Sequence, residues 1–111
     1  MERFIHRENV GNYLDQLRRE FDPAKRTTLR ALLIEEMRKF ADSSENLDLT
    51  DRHLSDCKLR IARQHRIIDD LRLEKRSTAE AEQVLDNLLD IETLLSTLRS
   101  DTVNELTRSR G

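Results

Sequence analysis

Four runs of the chain place their apolar residues on one side when wound at helical pitch. In the first, Val10, Leu14, Leu17 and Phe21, with Tyr13 at the edge, fall within an arc of roughly 100°, which predicts a helix over 7–21 that Gly11 weakens. The stretch FDPAK then offers Asp22 as a cap and Pro23 at the first helical position, where the missing N–H costs nothing. A second helix is expected from Pro23, with Leu29, Leu32, Leu33, Met37 and Phe40 as its stripe and ADSSEN as its end. Residues 1–42 therefore read as an N-terminal helical hairpin.

The third run has two candidate starts, Ser44 and Thr50. Thr50 is preferred because Leu49 and Leu54 would bracket it as a hydrophobic staple, which makes 43–50 a linker. Beyond it, Leu54, Ile61 and Ile68 recur every seven residues with Cys57, Gln64 and Leu71 between them, a heptad-like seam. The stretch LEKRSTAEAEQVL then stops one helix and starts another. Ser77 and Glu80 have the spacing of a capping box, and Lys75 and Arg76 lie where the dipole of the preceding helix favours cations. Residues 51–106 thus read as a long antiparallel hairpin, and 107–111 as a frayed tail.

The fourth run is the broadest. Val84, Leu88, Ile91, Leu95 and Leu98 form its main stripe, yet Leu85, Leu89 and Leu94 lie on the flanks. Each such side chain contributes about 1.5–3 kcal/mol when buried, so one partner helix is not enough to cover the arc. Either the first hairpin folds onto it or a second chain does. Val84, Leu88, Ile91 and Leu95 are the expected core of the helical assembly. The fold expected is all-α: two consecutive antiparallel hairpins forming a four-helix bundle or a coiled-coil-like pairing completed by dimerisation.

Composition agrees with long helices: 38% of residues are charged, and there are two glycines and one proline. The longest apolar run is ALLI, so no membrane span is expected, and MERFIHRENV has charges where a signal peptide needs an apolar core. One cysteine, Cys57, fits a reducing compartment, and a cytoplasmic location is expected. The net charge of −2 gives the whole molecule no pull toward nucleic acid. Its distribution is uneven: residues 51–76 are net basic and 77–111 net acidic. Arg52, Arg60, Arg63 and Arg66 fan over the outer side of the third helix, with Leu59 and Leu73 among them. Solvated surface, an acidic protein partner and phosphate contact all fit that mixture. No aromatic follows Phe40, so nucleic acid lacks a stacking platform and is disfavoured as a partner.

Catalytic and metal chemistry find little support. Glu82, Asp86 and Asp90 repeat every four residues, but one exposed row supplies too few converging oxygens for a divalent cation and reads as solvated surface. His53 and Cys57 share a face, yet two ligands do not make a zinc site. His65 with Asp69 and Asp70 has the outline of a phosphotransfer histidine without its motif, and no Glu-x-x-His pair or glycine-rich phosphate loop occurs. The chain is expected to be non-enzymatic, with no catalytic residues, metal or cofactor.

Two stretches resemble helical segments recurrent in small proteins of alphaproteobacteria. In RENVGNYLDQLRREFDPAKRTTLRALLIEEMRKF the matching positions are Glu8, Asn9, Val10, Tyr13, Leu17, Asp22, Arg26, Leu32, Leu33, Glu35 and Glu36. In HLSDCKLRIARQHRIIDDLRLEKRSTAEAEQVLDNL they are His53, Arg60, Ile61, Gln64, Ile68, Leu71, Thr78 and Ala81, with EKRS where such segments carry a glycine at the corner. The resemblance implies a bacterial, cytoplasmic, all-α protein and no catalytic activity. Protein interaction is the expected function, as a small adaptor or regulator, itself a homodimer, whose partner reads Leu59, Arg63, Arg66 and Leu73. The alternatives are a nucleic-acid-associated regulator using the basic third helix and a histidine phosphotransfer protein.

Overall fold

The computed structural model describes residues 2–110, with side chains as far as Arg108; Met1 and Gly111 lie outside the described residues. Its order is α1 (Glu2–Arg19), α2 (Pro23–Arg38), α3 (Ser44–Leu73) and α4 (Ala79–Arg110), without a strand among the described residues. The all-α arrangement of two consecutive antiparallel hairpins is therefore present.

The second helix starts as its letters indicate. Pro23 opens it, and the Asp22 carboxylate accepts the Lys25 N–H at 3.2 Å. Other boundaries differ from expectation. Helix α1 begins at Glu2 and stops at Arg19, leaving Phe21 in the connection and 42% exposed. Helix α3 begins at Ser44, so 43–50 is no linker: Ser43 caps it, and Thr50 lies inside with its hydroxyl donating to the Asn46 carbonyl at 2.7 Å. The expected tail is helical through Arg110.

The corner between α3 and α4 also differs. The Arg76 N–H reaches back to the Leu71 carbonyl at 2.9 Å and the Lys75 N–H to Arg72 at 3.0 Å, a Schellman closure. It requires a left-handed residue, and Lys75 supplies it with φ of 58°. Helix α4 then starts at Ala79, after Thr78, whose carbonyl accepts from the Glu82 N–H. The Ser77 hydroxyl accepts from Ala79, so the expected Ser77–Glu80 capping box is not formed.

The long hairpin is held in register by the two softest residues of its seam. Cys57 Sγ donates to the Leu88 carbonyl at 3.3 Å and Gln64 Nε2 donates to the Ala81 carbonyl at 2.9 Å, so residues seven apart on α3 meet carbonyls seven apart on α4. Both are buried.

The first hairpin folds onto α4 of its own chain. Val10, Leu14 and Leu17 of α1, Leu33 and Met37 of α2, Leu49 and Cys57 of α3, and Ile91, Leu94, Leu95 and Leu98 of α4 form one core. Of the expected assembly core, Leu88, Ile91 and Leu95 are buried, whereas Val84 is only half-buried. On the flanks Leu94 is buried and Leu85 half-buried, while Leu89 is 41% exposed.

Helices α1 and α2 hold 18 and 16 residues against 30 and 32 in α3 and α4. At 1.5 Å per residue the long pair outreaches the short one by roughly 20 Å. The first hairpin is tied to α4 at Asn87 and, through Asn46 of α3, to Thr102, so the last turns of α3 and the first turns of α4 extend past it as a two-helix arm, and the molecule measures 56 × 25 × 22 Å.

Two backbone substitutions follow. An added methyl at Gly11 meets nothing within 4 Å, so Gly11→Ala should stabilise the fold by about 0.5–1 kcal/mol. Lys75→Gly should add about 1 kcal/mol by relieving the left-handed lysine. Denaturant unfolding of the single and double variants checks both, with additive gains expected because the sites are far apart.

Candidate functional site

Polar residues tie the two hairpins together at both ends of their contact. At the open end, His6 of α1 is 5% exposed and its Nε2–H donates to the Asn46 Oδ1 of α3 at 3.0 Å; the Asn46 amide in turn donates to Thr102 Oγ1 of α4 at 3.3 Å. The other ring nitrogen, Nδ1, lies 3.6 Å from the Glu36 carboxylate of α2 and is buried without a hydrogen bond. Phe40 leans on the imidazole, with ring centres 4.5 Å apart. Glu36 is 4% exposed and is reached by the Asn9 amide and, at 3.0 Å, by Lys39. Burial alone would raise its carboxyl, but Asn9, Lys39 and His6 outweigh that and hold it below the usual range.

At the loop end, Asp90 is clamped by Arg26 at 2.9 Å and by Arg30. Arg26 also donates to the carbonyls of Leu17 and Glu20, and the Asn87 amide donates to those of Arg18 and Glu20. These bonds satisfy carbonyls freed where α1 ends. Burial opposes ionisation of Asp90, yet the two guanidinium groups prevail and hold its carboxyl low. The acidic row Glu82, Asp86 and Asp90 is thus not a uniform solvated face: Glu82 meets Arg72 at 3.3 Å, and Asp90 joins the hairpins.

Burial pushes the Cys57 thiol up to about 11, which leaves it a packed, protonated residue rather than a nucleophile. Burial also lowers His53, beside Arg18 and Arg52. Among the described residues no three potential ligands converge for a metal ion, and no helix is long and apolar enough to cross a membrane.

The residues expected to meet a partner lie on the solvent side of α3. Leu59 is 67% and Leu73 83% exposed, with Arg63 and Arg66 exposed between them. They do not converge on a pocket: Leu59 and Leu73 are about 21 Å apart along one helix face. Arg63 alone also borders a cleft of about 370 Å³ with Phe21, Val84 and Leu88 at the base of the arm. The basic fan is thinner than its letters suggest, because Arg60 is engaged by Asp56 at 2.7 Å.

Sequence reasoning missed the polar ties. Their signal is a polar residue where the apolar stripe requires a buried one: His6 four before Val10, Asn46 eight before Leu54, Thr102 four after Leu98. No family model matches this chain, and no curated protein or solved structure matches it.

The carboxylates fix the sign of the pH response. A group held low in the folded state contributes stability above its ordinary value, here near 4.5 for Glu36 and 3.8 for Asp90, and loses it as pH falls through the lower folded value. Unfolding free energy should therefore drop below about pH 4.5. Glu36→Gln should cost roughly 1–3 kcal/mol at pH 7 and flatten part of that drop, as measured by denaturant titration at several pH values.

Proposed function

We propose that this chain is a non-enzymatic protein-interaction module, a small cytoplasmic adaptor or regulator that engages its partner through the outer face of α3. The observation that carries this reading is the exposure of Leu73 and Leu59 on a helix whose opposite side is already spent on the core. Leaving two leucines in water forgoes about 1.5–3 kcal/mol each on burial, and the arginines between them are of a type enriched at interface hot spots. Arg63 and Arg66, which form no ion pair among the described residues, suit an acidic rim. Phosphate contact draws less support, since Arg60 is occupied and the arm holds no aromatic to stack a base.

A photo-crosslinking residue placed at Leu59 or Leu73, in the cell from which the chain comes, should yield a protein adduct. The same group at exposed Thr28, on the outer side of α2, should not. Equal labelling at all three positions, or none at any, would remove the reading. Leu73→Gln should lower adduct formation from Leu59 while leaving the unfolding midpoint unchanged, because the side chain is 83% exposed.

A further inference from the structure

Positions Leu59, Arg63, Arg66, Asp70 and Leu73 recur by four, three, four and three residues, so they form a second seam on α3, opposite the one buried against α4. All five are exposed, and among the described residues the side chains of Arg63, Arg66 and Asp70 make no hydrogen bond or ion pair. Several neighbouring charges are paired: Arg60 with Asp56, Arg72 with Asp69 and Glu82, Arg76 with Glu74. Arg63, Arg66 and Asp70 share one stripe with the two exposed leucines.

That stripe reads almost the same from either end. Its leucines stand seven residues before and after Arg66, with a cation on one side of the centre and Asp70 on the other. Resting on the interaction reading above, we propose that the outer face of α3 docks on the same face of a second copy, antiparallel, about a two-fold axis at Arg66. This crossing sets Leu59 of each copy beside Leu73 of the other and Arg63 beside Asp70, so one complementary pair is made twice, as a two-fold interface requires. The Arg66 side chains straddle the axis and extend toward the Asp69 and Asp70 carboxylates of the opposite helix. A parallel pairing would instead stack Arg63 on Arg63 and Asp70 on Asp70. A single pair of helix faces is a small interface, in the size class of weak and transient contacts.

Sedimentation equilibrium of the whole chain from about 1 to 500 µM tests it. The wild type should shift from monomer to dimer. Arg63→Asp and Asp70→Arg, each made alone, should weaken association at least tenfold, since each then repels its counterpart twice, and the double substitution should restore it. Unfolding midpoints measured at about 1 µM, at the monomer end of the range, serve as the folding control and should not move. A monomer across the whole range overturns the dimer, but leaves crosslinking from Leu73 to a different protein as a separate result that would uphold the interaction reading. A dimer indifferent to the single substitutions, or one the double substitution fails to rescue, overturns this face or this orientation.

Discussion

The breadth of the apolar arc on α4 governs the rest of the molecule. Ile91, Leu94, Leu95 and Leu98 are buried in one core with residues of α1, α2 and α3, an arc too broad for α3 alone to cover. Helices of 16 and 18 residues are marginal in water by themselves, so the first hairpin needs that surface as much as the surface needs a cover. Each hairpin leaves unfinished what the other completes.

The mutual cover is incomplete because the lengths do not match. Where α1 ends, the core loses its third and fourth walls, and burial along α3 falls to Gln64, Ile68 and the half-buried Leu71. A two-helix arm buries one stripe per helix and exposes everything else. Exposed leucine on such an arm does nothing for the monomer, and its two neighbours in the stripe, Arg63 and Arg66, have no carboxylate to neutralise them. The folding requirements of this chain account for the inner seam of α3 and leave the outer one unexplained.

Much of the architecture was legible because it rests on periodicity. The four helices, the Asp22–Pro23 start and the need for a third neighbour on α4 all follow from where apolar residues fall. The two misplaced helix starts involve polar residues doing the work of apolar ones. His6 reads as a surface residue, which places the start of α1 after it; the Leu49 and Leu54 staple favours a start of α3 at Thr50, although the Asn46 side chain before it is buried between His6 and Thr102. The Ser77–Glu80 pair failed for a different reason. The Schellman closure through Lys75 fixes the chain direction before Ser77 is reached, and the cap falls one residue later. The exposed face of α3 was readable as a surface, but letters alone could not show that Arg60 was occupied and Arg63 free.

Buried polar groups add alignment more surely than they add stability. A seam of leucines can slide by one helical turn and bury nearly the same area. Cys57 and Gln64 work against such a slide, since a shift by a turn would break both of the bonds they make to the carbonyls of Leu88 and Ala81. The same holds between the hairpins, where Asp90 meets two arginines at one end and the Asn46 amide bridges His6 to Thr102 at the other. With both ends fixed, the point at which the first hairpin stops along the second is fixed too. The length of the free arm, and with it which residues of α3 stay uncovered, is therefore set by polar contacts some distance from the surface they define.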